Sequence, residues 1–197
     1  MGVEQQQRSY AQYGQDRYVV DRLLKGMRNG KFLEIGAFDG LTLSNTALLE
    51  LDYDWSGICI EALPDRYAAL AANRACVCIH AAATEASGQK IAFQVVSGES
   101  AMLSGRPDAY VGAHKRRIAG EQARLGTSSS LIDVSTVRAA DELRSHGMTS
   151  VDFASIDIEG GELSCLKGLL DDDIRVGIIC VENNYGGGAV HQLLRRR

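Results

Sequence analysis

The sequence has few prolines, no C-x-x-C cysteine pair and no long apolar segment, and each absence argues against a class of protein. Two prolines in 197 residues argue against a linker-rich chain. None of the five cysteines forms a C-x-x-C pair, so we expect reduced, buried thiols rather than a zinc or redox motif. No apolar run approaches the ~18–20 residues of a membrane span, and the polar N-terminus lacks a signal-peptide core. We therefore expect a cytoplasmic protein with no membrane partner.

Excess positive charge is also absent. The net charge of −4 and the pI of about 5.6 argue against nucleic-acid binding driven by charge. A hydrophobic content of 45% with 23% charged residues is ordinary for a globular protein. At this length we expect a single domain over residues 1–197.

Short apolar runs alternate with helix-like stretches along the chain, which is typical of βαβ units. The runs predict strands at 31–36, 55–62, 76–83, 90–96, 152–158 and 176–182. The stretches between them predict helices at 15–28, 43–51, 64–74, 136–147 and 161–171. Most runs are continuous rather than alternating, so we expect an α/β fold whose mainly parallel sheet has helices on both faces.

Two segments depart from that pattern. KIAFQVV at 90–96 follows a turn-rich connection and predicts a hairpin with a neighbouring strand. Residues 97–130 are rich in Gly and Ser with weak periodicity, and we interpret them as an insertion that borders the substrate site as a lid. Residues 1–30 are expected to form an N-terminal helical segment.

Acids and glycines follow the first two predicted strands, where ligands bind in an open parallel sheet. Glu34 is followed by Gly36, Asp39 and Gly40, and a glycine turn lets the backbone approach a ligand closely. Glu61 comes 21 residues after Gly40, where an acid can accept both hydroxyls of a ribose.

The turn lacks the G-x-G-x-x-G pattern of dinucleotide binding, which makes a nicotinamide-dependent oxidoreductase a poor interpretation. Two acids beside the turn suit a cationic ligand better than a pyrophosphate. S-adenosylmethionine, with a sulfonium and an ammonium, has the required sign of charge.

Four motifs together resemble the FkbM-type methyltransferases over nearly the whole chain. They are AQYGQD at 11–16, with Ala11 where serine is usual; FLEIGAFDG with SNT at 44–46; WSGICIEALPDRY; and SIDIEGGELSCLKG at 155–168, with Ser155 in place of the usual lysine. The resemblance implies a class I, Rossmann-like fold and an S-adenosylmethionine-dependent enzyme. It also implies O-methylation of hydroxyl groups on sugars or polyketide-type natural products.

The resemblance also implies a cofactor site. Its residues would be Glu34, Gly36, Asp39, Gly40, Ser44 and Asn45 at the methionine part, Glu61 at the ribose, Ala62 and Ala82 bordering the nucleoside, and Gln12 and Tyr13 closing over the cofactor. Structural roles stay open for three of them: Asn45 as a helix N-cap, Asp39 as a turn former and Tyr13 as a core aromatic.

Acids at the later strand ends suggest how a hydroxyl would lose its proton. Asp157 and Glu159 are the candidate general bases, and Asp157 would also face the cofactor. Asp157, Glu182 and Asn183 are similar to the magnesium ligands of catechol O-methyltransferase, and such oxygen ligands suit Mg²⁺. The alternative places Glu159 at a helix N-terminus, where the dipole favours acids.

The class I sheet normally ends in two further strands, and too few residues follow position 182 to form them. Either those strands lie outside this sequence or another subunit covers the sheet edge in a homo-oligomer. Two other functions stay open: an N-methyltransferase acting on an amino sugar, and a non-catalytic binding module with a methyltransferase fold.

Overall fold

The fold contains eight strands within the residues that the structure describes. The computed structural model describes residues 8–170, 173–184, 186 and 188–195. The strands are β1 Lys31–Ile35, β2 Ser56–Glu61, β3 Val77–His80, β4 Ala82–Ala83, β5 Lys90–Val96, β6 Ser129–Val137, β7 Ser150–Ile156 and β8 Arg175–Val181. The helices are α1 Gln15–Tyr18, α2 Ala47–Tyr53, α3 Pro64–Asn73, α4 Gly112–Leu125, α5 Ala139–Ser145, α6 Glu162–Leu169 and α7 Gly188–Leu194. A π-helical turn at Val19–Leu23 continues α1, and a 3-10 helix covers Gly98–Leu103.

A five-stranded sheet in the order β3-β2-β1-β7-β8 forms the centre of the fold. Every pair in it is parallel, as the continuous apolar runs predict. Leu33 and Ile35 of β1 pack on one face in a cluster with α5 and α6. Phe32 points to the opposite face and packs with α2, α3 and the π-helical turn. The mainly parallel sheet with helices on both faces is confirmed.

A second, three-stranded sheet in the order β4-β6-β5 lies beside the first. The hairpin predicted for 90–96 is present, and its partner is β6, antiparallel to β5. No strand was expected at 129–137, and the predicted helix at 136–147 begins only at Ala139. The missed signal is an alternation in which Ile132, Val134 and Thr136 turn inward while their neighbours are exposed. The predicted strand at 76–83 is split, because β4 leaves the central sheet to pair with β6.

The segment 97–130 is more regular than its composition predicts. It begins with the 3-10 helix and contains α4, a helix of 14 residues. Only His114 and Ile118 of α4 are buried, and they are four residues apart. The sequence therefore lacks the wide apolar face by which an amphipathic helix is usually recognised. We call residues 97–128, between β5 and β6, the insertion.

The two ends of the described chain are short elements. The helix predicted at 15–28 consists of α1 and the π-helical turn, and it ends at Leu23. After β8 the described residues contain α7 and no further strand. None of the described helices has the length and apolar character needed to cross a membrane.

Candidate functional site

A pocket opens where the carboxyl ends of β1, β2, β7 and β8 meet the insertion. Most residues predicted for the site line it: Gln12, Glu34, Gly36, Ser44, Asn45, Glu61, Ala62, Ala82, Asp157, Glu159 and Glu182. Met102, Ser104, Arg106 and Arg117 of the insertion line it as well. The topology thus brings side chains from distant parts of the chain to one cavity, five of them carboxylates.

The turn after β1 needs glycine for a reason internal to the protein. Gly36 has φ +81°, and a Cβ there would overlap the carbonyl oxygen of Asp157. The ends of β1 and β7 therefore approach so closely that only glycine fits between them. This contact sets the pocket floor, with Asp157 directly beside the turn.

Glu34 lies under the turn in a buried network. Its carboxylate accepts hydrogen bonds from the Ser44 hydroxyl at 2.8 Å, the Asn45 N–H at 2.7 Å and the Thr46 hydroxyl at 2.6 Å. Arg74, at the end of α3, lies 3.4 Å from the same carboxylate with its side chain fully buried. Glu34 thus holds the 44–46 segment against the sheet.

Arg74 connects that network to the turn. Its guanidinium donates to the Gly40 carbonyl at 2.9 Å, to the Thr46 hydroxyl at 3.0 Å and to Glu50 at 2.7 Å. A buried cation needs such partners, because an unpaired one would be costly to desolvate. Sequence reasoning missed Arg74, although an arginine among the apolar residues at the end of α3 was the available signal.

Asn45 presents a buried polar atom toward the pocket. Its Nδ2 donates to the Ser155 hydroxyl at 2.9 Å, while its Oδ1 has no hydrogen-bond partner among the described residues. Asn45 does not cap α2: the Ser44 hydroxyl accepts the Ala47 N–H at 3.0 Å. An unpaired buried acceptor is costly and favours a ligand that donates a hydrogen bond.

Glu61, at the end of β2, has a partly satisfied carboxylate. One oxygen accepts the Phe38 N–H and the other the Leu63 N–H, both at 2.8 Å. Each oxygen keeps a second lone pair for a ligand hydroxyl. Burial raises the pKa of Glu61 to about 7, against the lowering effect of these N–H groups.

Asp157 and Glu182 form a coupled pair at the ends of β7 and β8. Their carboxyl groups share a hydrogen bond, and burial raises the pKa of both, to about 8 for Glu182. The negative charges of nearby acids, of which Glu159 contributes most, raise the pKa of Asp157 further. Because the two acids share a site, the pair holds one proton near neutral pH.

Glu159 lies next to that pair but has other partners. Its oxygens lie 3.3 Å from His114 Nδ1 and 3.5 Å from an Arg117 nitrogen, both on α4. His114 Nε2 lies 3.1 Å from the Leu103 carbonyl oxygen, and its ring packs on Tyr110. Glu159 therefore connects the signature loop after β7 to the insertion.

Four predicted site residues do not line the pocket. Tyr13 is 83% exposed, so it is not a core aromatic. Asp39 accepts the Leu41 and Thr42 N–H groups, a turn-forming arrangement. The Gly40 carbonyl binds Arg74, and Asn183 is exposed at the surface. It is the next residue, Asn184, that donates to both Glu182 and Glu159.

Five pocket residues were not predicted from the sequence: two phenylalanines, a methionine and two arginines. They are Phe38, Phe93, Met102, Arg106 and Arg117. Phe38 lies in the turn after β1 and Phe93 on β5. The positions of Met102, Arg106 and Arg117 depend on the packing of the insertion, and no local pattern in the sequence specifies that packing.

The parallel sheet with helices on both faces and a pocket at its carboxyl edge is a Rossmann-like fold. The family model of the methyltransferase FkbM domain matches residues 34–196. The chain belongs to this FkbM methyltransferase family. Searches of curated proteins and of solved structures gave no match.

Proposed function

We propose that the protein transfers a methyl group from S-adenosylmethionine to a hydroxyl of a small molecule of the sugar or polyketide type. Membership of the FkbM family supports a methyltransferase with this donor. The choice of a hydroxyl as the methyl acceptor rests on the pair Asp157 and Glu182, which lines the pocket beside the glycine turn and can take up the hydroxyl proton. We further propose that the enzyme acts in the cytoplasm, with neither nucleic acid nor membrane as a partner.

The pocket residues fit this donor in charge and in hydrogen bonding. Glu61 would hold the ribose hydroxyls with its free lone pairs, and the unpaired Oδ1 of Asn45 would accept a hydrogen bond from the ammonium. Ala62 and Ala82 would border the nucleoside. When bound, the donor supplies an activated methyl group on a positively charged sulfur.

Asp157 is the favoured general base. It lines the pocket, and its pKa is raised toward the working range of a base. It would take the hydroxyl proton, while the hydrogen bond that it shares with Glu182 keeps it ionised beforehand and holds it in place. Glu159 is held by His114 and Arg117, so we assign it the role of positioning the insertion.

We further propose that the acids at this end of the pocket can bind a divalent cation. Asp157, Glu159 and Glu182 each offer an oxygen, and these oxygens lie within 4.8 Å of one another. Carboxylate oxygens suit Mg²⁺, which would displace the shared proton and lower the pKa of a coordinated hydroxyl. The family match does not address a metal, so the assay below includes metal-free conditions.

The test is methyl transfer from S-adenosylmethionine to a panel of sugars, with and without EDTA. We expect Asp157→Asn to reduce kcat on hydroxyl acceptors by about 10²–10⁴-fold, the range of general-base catalysis. Asp52→Asn, at an exposed acid of α2, is the matched control and should leave kcat unchanged. Loss of activity in EDTA, restored by Mg²⁺, would support the cation.

The same assay separates the competing functions. A neutral amine needs no strong base, so full activity of Asp157→Asn on amino sugars would favour N-methylation. Full activity of that variant on hydroxyls would contradict the base assignment. Absence of turnover on every acceptor, with donor binding intact, would favour a binding module.

A further inference from the structure

Two arginines of the insertion reach the pocket that holds Asp157 and Glu182. Arg106 follows the 3-10 helix and Arg117 lies on α4, and both line the cavity. Their side chains are 21% and 46% exposed, so neither belongs to the protein core. We call them the arginine pair.

Both members of the arginine pair have donors to spare. Arg117 lies 3.5 Å from Glu159, through one terminal nitrogen. Arg106 binds Asp108 through Nε at 3.2 Å and one terminal nitrogen at 2.6 Å. A guanidinium carries five N–H groups, so these contacts leave N–H groups of each arginine available to a ligand.

Neutralising Glu159 does not account for both arginines. Arg117 lies 3.5 Å from Glu159, but the partner of Arg106 is Asp108, which does not line the pocket. Two arginines that line a cavity suit an anionic ligand, because a guanidinium binds a carboxylate or phosphate through paired hydrogen bonds.

The pocket holds acids and arginines from different elements. Glu34 and Glu61 lie at the β1 and β2 ends, where the donor would bind. The arginine pair comes from the insertion, and Asp157 and Glu182 line the same cavity. An acceptor held by the arginine pair would therefore share the cavity with the carboxyl pair.

We propose that the methyl acceptor carries an anionic group, a carboxylate or a phosphate, bound by Arg106 and Arg117. This inference rests on the proposed function and narrows its substrate class to hydroxylated compounds such as sugar acids or sugar phosphates. Arg106 and Arg117 are then specificity-determining residues.

The test is calorimetric titration of the protein, saturated with S-adenosylhomocysteine, with glucose 6-phosphate, glucuronate and neutral glucose. We expect at least one anion to bind about tenfold or more tightly than glucose, and the better anion identifies the group. Arg106→Gln and Arg117→Gln should each weaken that binding about tenfold. Arg116→Gln is the control, because Arg116 is an exposed neighbour on α4 that does not line the pocket.

Results that contradict the anionic acceptor can be distinguished from results that contradict the proposed function. Equal binding of glucose and both anions, no binding of either anion, or equal losses in Arg116→Gln and Arg117→Gln would overturn the inference. S-adenosylhomocysteine affinity and circular dichroism, measured for every variant, show that the pocket and fold are intact. Failure of the wild type to bind S-adenosylhomocysteine would instead count against the proposed function, whatever the anions do.

Discussion

At the scale of single residues, the pocket depends on carboxylates that are buried yet incompletely neutralised. Among the described residues, Glu61 accepts hydrogen bonds from two backbone N–H groups and has no cation in hydrogen-bond contact, whereas Glu34 contacts the buried Arg74. The two acids therefore have different uses. Glu34 stabilises the turn, and Glu61 keeps lone pairs for a ligand.

The buried carboxyl of Glu61 makes stability depend on pH. The pKa of this carboxyl is 4.5 in the unfolded chain and about 7 in the folded protein. Between these values the native state binds more protons, so stability falls as pH rises through this window. The loss is at most about 3 kcal/mol, since one pKa unit corresponds to about 1.4 kcal/mol.

Urea unfolding between about pH 4.5 and 7.5 measures this slope. Glu61→Gln should flatten the pH dependence of the unfolding free energy relative to the wild type, while Asp52→Asn should not. An unchanged slope in Glu61→Gln would show that the Glu61 carboxyl ionises as it does in the unfolded chain.

Arg74 is the residue whose loss should affect stability most directly. Arg74→Met would leave Glu34 and Glu50 buried without their cation, and we expect a loss of about 3–5 kcal/mol in the free energy of unfolding. Arg28→Met removes an exposed pair with Asp54 and should lose less than about 1 kcal/mol. Similar losses in the two variants would contradict the structural role of Arg74.

At the scale of elements, the turn after β1 is fixed by the approach of β7. Gly36→Ala adds a Cβ that would overlap the Asp157 carbonyl, in addition to the strain of φ +81°. Gly88 is the matched control, because φ is +77° and a Cβ there would meet nothing within 4 Å. We expect Gly88→Ala to lose about 1–2 kcal/mol and Gly36→Ala distinctly more, by thermal or urea unfolding. Equal losses would mean that only backbone strain matters at Gly36.

The central elements could be predicted because each carries its own local signal. The continuous apolar runs of β1, β2, β7 and β8 and the Pro64 start of α3 are visible in the sequence. β6 and α4 were missed because one side of each is exposed and polar, so their apolar stripes are narrow. Their conformations depend on β5 and on the 3-10 helix, which they pack against.

The residues of the candidate site also fall into those that the sequence could predict and those that it could not. Glu34, Gly36, Glu61 and Asp157 lie in the last residues of a strand or directly after one, so a parallel sheet brings them to one edge, where they line the same pocket. Arg74, Arg106 and Arg117 come from a helix end and the insertion, and only tertiary packing brings them to the turn or the pocket. Asn184, the neighbour of the predicted Asn183, donates a hydrogen bond to Glu182, and the metal role predicted for Asn183 stays a prediction.

At the scale of the whole molecule, the sheet and the insertion together form a pocket lined by five carboxylates and two arginines. The net charge of −4 is thus less informative than its arrangement, because the acids and arginines converge on one cavity. The edge strand β8 carries no further strand among the described residues, and a homo-oligomer that covers it stays a prediction.

Calorimetric titration with S-adenosylhomocysteine tests the central claim, that this cavity is the cofactor site of a methyltransferase. We predict one site on the wild type with micromolar affinity, lost in Glu61→Ala and kept in Asp52→Asn. Circular dichroism must show that Glu61→Ala remains folded. Absence of binding by the wild type, or equal binding by a folded Glu61→Ala, would contradict the account.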